Sequence, residues 1–166
     1  MNTVASLLTL DSVALDLDLS SRKRVFEEAA LLLEKNVGIS HQAVFDALNA
    51  RERLGSTCVG GSVAIPHGRI EGIDEMAVAI LRTRSTVEMG SIDNRMARLF
   101  FVIAIPQNDA ENYLDVLRQV ATMLQDRDFK DKLLTAKTPM ELCQLIGGWN
   151  PPESTDDTND ETSEEN

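Results

Sequence analysis

Clusters of lysine and arginine are missing from this 166-residue chain. Without them there is nothing to grip a phosphate backbone, so nucleic-acid binding is excluded on charge. The formal charge is −11 at pH 7, and seven of the acidic residues, Glu153, Asp156, Asp157, Asp160, Glu161, Glu164 and Glu165, crowd into residues 150–166 beside no basic residue. Setting those seven aside leaves −4 for the rest, an ordinary balance for solubility. Cysteine is nearly absent as well. Cys58 and Cys143 stand far apart and form neither a disulfide framework nor the paired spacing of a zinc site, which is expected of reduced thiols in the cytoplasm. No apolar run approaches the roughly 20 residues of a membrane span, and the N-terminus lacks the features of a secretory signal, so a cytoplasmic protein with no membrane insertion is expected. Internal repeats are absent too.

The chain is long enough for one domain with a substantial core and short for two. Residues 13–19 alternate apolar and acidic side chains over their second half, the pattern of a strand with one wet face. Ser20 or Ser21 can cap a helix running to about Asn36, with Val25, Ala29, Leu32 and Leu33 on one face and Gly38 as its stop. A second helix starts at Ser40 and reaches about Arg53. Apolar runs at Met76–Leu81 and Leu99–Ile105 read as strands at the sheet centre, with a turn at Ser91–Asn94 between them. Asp109 is expected to cap a helix burying Leu114, Leu117, Ala121 and Leu124, and a shorter helix follows around Phe129 and Leu133. Thr138-Pro139-Met140-Glu141 is a capping box with proline at the first helical position, and Gly147-Gly148 closes that last helix. Helices mixed with strands favour an α/β layered domain. The expected division is a domain over residues 1–149 and an acidic disordered tail over residues 150–166, because the Pro-Pro pair and the Ser/Thr-rich acidic stretch cannot bury apolar surface.

Chemistry concentrates in residues 54–72. Five of the nine glycines, Gly55, Gly60, Gly61, Gly68 and Gly72, surround the short apolar run Val63-Ala64-Ile65. The chain has two histidines. His41 lies at the start of a helix, where an exposed polar residue needs no function. His67 is expected to end the apolar strand, with Pro66 fixing the backbone before it and Gly68 allowing close approach after it. An imidazole of pKa about 6.5 has a large neutral fraction near pH 7, and its lone pair can attack phosphorus without a separate base. Phosphoryl transfer then asks for positioning and charge stabilisation, for which Arg51, Ser56, Thr57, Ser62 and Arg69 are near in sequence. The residues alone also permit a histidine with only a structural place in a glycine-rich turn. Cys58 with His67 lacks an orienting acid, and Gly55–Gly61 lacks the Gly-Lys-Ser/Thr ending of a P-loop.

The segment from Arg51 to Gly68, above all Val63-Ala64-Ile65-Pro66-His67-Gly68, resembles the active-site signature of the fructose/mannitol class of phosphotransferase-system IIA domains. The likeness extends over about residues 5–147. It implies a mixed β-sheet flanked by helices on both sides, with His67 as phosphoryl acceptor through Nε2 (a tele-phosphohistidine). Arg51 would stabilise charge, with Ser56 and Thr57 near the phosphate. Neither cofactor nor metal is implied. The implied donor is a histidine phosphocarrier protein, HPr or its nitrogen-related paralogue. One position departs from the pattern: many relatives have a second active-site histidine where this chain has Tyr113, whose hydroxyl can donate to a phosphate but carries no positive charge. Standing alone, without an attached transporter domain, the chain resembles the nitrogen-regulatory members best, a phosphorylation-dependent regulator being the implied role. The alternatives are a sugar-specific component passing phosphate to a IIB domain, and a binding module of the same fold that is no longer phosphorylated.

Overall fold

The computed structural model describes residues 2–90 and 96–151. The turn expected at Ser91–Asn94, and the acidic tail from residue 152 onward, lie outside the described residues. Within them are helix α1 (Thr3–Ser6), strand β1 (Val13–Leu17), helices α2 (Arg22–Val37) and α3 (His41–Leu54), strands β2 (Cys58–Gly60), β3 (Val63–Ala64), β4 (His67–Ile70), β5 (Ala77–Glu88) and β6 (Met96–Pro106), and helices α4 (Asn112–Gln125), α5 (Arg127–Thr135) and α6 (Pro139–Gly147). None of the helices is long and apolar enough to cross a membrane, among the described residues.

The strands form one mixed sheet in the order β1-β5-β6-β3-β2, and β4 follows β3 along the same edge of β6. β1 runs parallel to β5, β5 antiparallel to β6, and both β3 and β4 parallel to β6. Alternation along β5 and β6 divides the core in two. Ala77, Ala79, Leu81, Phe100, Val102 and Ala104 face α2 and α3, while Val78, Ile80, Leu99, Phe101, Ile103 and Ile105 face α1, α4, α5 and α6. The result is a helix–sheet–helix sandwich, the layered α/β architecture implied by the sequence. The small residues on the α2–α3 face let helix backbones come close to the sheet, which decides the geometry at His67.

Helix ends follow their caps. Ser21 accepts from the Arg24 N–H and Ser40 from the Ala43 N–H, and α2 stops at Gly38, whose φ of 76° suits glycine. Thr138 accepts from the Glu141 N–H, but the reciprocal half of the capping box is shifted: the Glu141 carboxylate accepts from Lys137 N–H at 3.2 Å. Three expectations need correction. Helix α4 begins at Asn112 with Glu111 at its cap, although the Asp109 carboxylate still accepts from the Tyr113 N–H at 3.3 Å. That helix buries Val116, Val120 and Met123 together with Leu124, and leaves Leu114 43% exposed. His67 does not end an apolar strand; it opens β4, because the chain resumes pairing with β6 after Pro66.

Candidate functional site

His67 takes its place from the backbone on both sides. Pro66 offers no N–H, its carbonyl accepts from Ile103 N–H, and β4 then pairs His67 with Ile103 and Gly68 with Ala104. The ring is tied by a 2.8 Å contact from Nδ1 to the Ile65 carbonyl oxygen. A carbonyl only accepts, so Nδ1 carries the proton and the neutral ring presents the Nε2 lone pair. Burial lowers the pKa of His67 below its usual 6.5, and the Arg51 charge pushes the same way; the Ile65 carbonyl and the Glu52 carboxylate act in the opposite sense. Burial dominates, so the His67 ring is mainly neutral at pH 7.

Gly68 explains why α3 can stand over this strand. A Cβ there would lie 2.8 Å from the backbone carbonyl carbon and oxygen of Ala47 and from its Cβ. Ala47 is one turn before Arg51 on α3, so the same close approach brings Arg51 to the imidazole. Gly68→Ala should therefore cost about 1–3 kcal/mol of stability as α3 is pushed outward. It should also move Arg51 away from the imidazole and relieve a charge that holds the His67 pKa down, so the ring should titrate at a higher pH than in the wild type. Urea unfolding and an NMR titration of the ring check both halves.

A cleft of about 380 Å³ opens in front of His67, lined by Ala47, Ala50, Arg51 and Leu54 of α3, by Gly68 and Arg69 of β4, and by Ile105 and Tyr113. The structure thus brings three of the expected residues, His67, Arg51 and Tyr113, to one cleft. Arg51 is steadied by a 2.9 Å bond from Nη1 to the Gly55 carbonyl at the end of α3. Ser56 and Thr57 are placed differently. Thr57 is buried, its hydroxyl donating to Glu52 at 2.7 Å and its N–H to the other Glu52 oxygen at 3.0 Å, while Ser56 Oγ accepts from the Cys58 N–H. Neither lines the cleft, and their evident work is to shape the loop that leads into the β2–β3 hairpin. Glu52, 6% exposed, fastens that loop, a part that sequence reasoning did not assign. His41 is exposed and bonded to Glu34, away from the cleft.

Arg69 was only one of several nearby candidates. Its guanidinium lies over the Tyr113 ring, 4.7 Å from the centroid, and Nη1 donates to the carbonyls of Asp109 at 2.6 Å and Gln107 at 3.1 Å. At an exposed site such a cation–π contact is worth about 0.5–1 kcal/mol. The available signal was spacing: residues i and i+2 of a strand share a face, so a strand starting at His67 puts Arg69 beside it. Leu54 is 84% exposed at the cleft's edge, an apolar side chain open to solvent. Among the described residues no group of three or more His, Cys, Asp or Glu side chains is arranged to hold a metal ion.

A neutral imidazole, one nitrogen held and the other aimed into a cleft bearing two guanidinium groups, is suited to attack an anionic electrophile. Comparisons with known proteins point the same way. Residues 6–148 match the family described as "Phosphoenolpyruvate-dependent sugar phosphotransferase system, EIIA 2". The chain is 37% identical over 127 residues to a nitrogen regulatory protein of Pseudomonas aeruginosa, covering 76% of this chain and 82% of that one. Among solved structures, the nitrogen regulatory protein IIA-Ntr from Neisseria meningitidis superposes with a TM-score of 0.81 at 36% identity, covering 87% of this chain and 99% of that one. IIA mannitol from Escherichia coli, 22% identical, shares the fold with a TM-score of 0.71 over 84% of this chain and 98% of its own.

Proposed function

Since this chain belongs to the EIIA 2 family of the phosphoenolpyruvate-dependent sugar phosphotransferase system, we propose that His67 is its phosphoryl acceptor and that the protein works as a nitrogen-regulatory IIA component. The observation that carries the site assignment is the Nδ1 contact to Ile65, which reserves Nε2 for bond formation. The donor is a histidine phosphocarrier protein. As Nε2 attacks, its lone pair forms the new N–P bond, the donor's N–P bond breaks, and that electron pair returns to the donor imidazole. No proton moves, because Nδ1 keeps its hydrogen on the Ile65 carbonyl and spreads the ring's new positive charge onto it. Arg51 faces the phosphoryl oxygens as charge builds on them. The EIIA 2 match closes at residue 148, which supports residues 1–149 as the working unit.

The regulatory reading rests on the names of the relatives and on electrostatics. Phosphorylation adds about two negative charges beside the exposed Leu54, turning an apolar docking edge into a charged one. A partner fitted to one state is repelled by the other.

The test is phosphoryl transfer from phosphoenolpyruvate through enzyme I and the carrier protein, followed by intact mass and by nitrogen-resolved NMR of the phosphohistidine. One phosphoryl group on Nε2 of His67 is expected; label on Nδ1, or on another residue, contradicts the assignment. The pH profile follows from the lowered pKa. Uptake should be near its maximum at about pH 8 and fall with acidification to a midpoint below pH 6.5, as the acceptor lone pair is protonated. The same sign governs stability: below pH 6.5 the unfolded chain binds the proton before the folded one does, so this residue's contribution is lost as pH falls from 6.5 to the folded pKa. NMR titration of the His67 ring should give a midpoint under 6.5.

A further inference from the structure

Two arginines, Arg51 and Arg69, line the cleft that His67 opens onto, and only Arg51 has been given work. We propose that Arg69 is a second phosphoryl-binding cation, and that Tyr113 is the platform that holds its guanidinium in place, not a phosphate ligand through its hydroxyl. This deepens the acceptor reading of His67 and rests on it. Arg69 stands two residues along β4 from His67, on the same strand face, and both side chains line the same cleft. The approach is prepared before any phosphate arrives. The Asp109 and Gln107 carbonyls hold Nη1 at 2.6 and 3.1 Å, and the Tyr113 ring lies under the guanidinium plane at 4.7 Å. A planar guanidinium fixed along one edge and one face directs its remaining N–H groups as a set. Among the described residues, Nη1 is the only nitrogen of Arg69 with a hydrogen-bond partner. A phosphoryl group with about two negative charges is balanced poorly by Arg51 alone. A second cation at this rim supplies the charge that a neutral tyrosine cannot.

The experiment uses the full chain phosphorylated by phosphoramidate, a small donor that removes protein docking from the comparison. Wild type, Arg69→Gln, Arg69→Lys, Tyr113→Phe and Tyr113→Ala are compared for extent of labelling and for the ³¹P titration of the phosphohistidine, with thermal melting as the folding control. Arg69→Gln and Tyr113→Ala should lower the equilibrium labelling by about tenfold, the scale of one lost hydrogen bond to a charged group. Both should also move the ³¹P titration to higher pH, a shift that a merely structural arginine would not produce. Arg69→Lys should fall between, and Tyr113→Phe, which keeps the ring, should be clearly less impaired than Tyr113→Ala. A labelled Arg69→Gln with wild-type extent and titration overturns the proposal alone. So does Tyr113→Phe as impaired as Tyr113→Ala, which would assign the hydroxyl to the phosphate. A wild type that takes no label on His67 overturns the acceptor reading, and the proposal with it.

Discussion

His67→Gln should take up no detectable phosphoryl group while unfolding within about 1 kcal/mol of the wild type. Glutamine can keep the structural part of the histidine. Its amide N–H donates, so it can satisfy the Ile65 carbonyl that Nδ1 now holds at 2.8 Å. The chemical part cannot be replaced, since an amide nitrogen shares its lone pair with the carbonyl and is no nucleophile. His41→Gln is the matched control for the other imidazole. It lies on the surface against Glu34 and should label as wild type does. Intact mass after incubation with the complete donor relay reads both variants, and urea unfolding confirms that His67→Gln is folded. Label on folded His67→Gln would move the acceptor elsewhere. A His67→Gln that fails to fold would show that the imidazole is itself a structural piece of the β3–β4 junction.

Much of this site was legible because its signals are local. Pro66, His67 and Gly68 are consecutive, and their chemistry survives without knowledge of the fold. Gly68 is required by the Ala47 backbone, yet the sequence already marked it as a place of close approach. The helices with side-chain caps at Ser21, Ser40 and Thr138 were equally readable, as a hydroxyl three residues before its N–H partner is a short-range pattern. Strand β4 was not readable as a strand. His-Gly-Arg-Ile has too little alternation to announce itself, and only pairing with β6 makes it extended. The cap of α4 was misplaced for a related reason. Asp109 does bond the Tyr113 N–H, but the Arg69 guanidinium holds the Asp109 carbonyl, and the chain turns for two more residues, Ala110 and Glu111, before the helix starts. The Arg69–Tyr113 contact joins distant parts of the chain, and nothing near either residue foretells the other.

A second expected loss lies far from the cleft. Arg82 follows the apolar run of β5 and was invisible in it, yet its side chain is only 4% exposed. Nη1 donates to the Leu133 carbonyl at 3.0 Å and Nη2 to the Ala136 carbonyl at 2.6 Å, which are carbonyls at the end of α5 with no later turn of helix to receive them. Asp16, 3.4 Å from Nη2, is more than half exposed and adds little. Arg82→Ala strips partners from two buried carbonyls and leaves a cavity, so the loss should be about 2–5 kcal/mol, a large share of a small domain's stability. Arg82→Met separates the two causes, because it refills the volume without supplying a donor; it should recover the cavity part and leave the carbonyls unmatched. The buried Arg82 Nε, which has no partner among the described residues, moderates the expectation, since methionine also removes that cost. Urea midpoints order the three proteins as wild type, then Arg82→Met, then Arg82→Ala. Because no α5 residue lines the His67 cleft, phosphoryl uptake per folded molecule should stay at the wild-type value in both variants. Arg82→Ala within about 0.5 kcal/mol of wild type would mean that water reaches those carbonyls. An uptake that fell with folding intact would mean that the end of α5 is mechanically coupled to the cleft through the sheet.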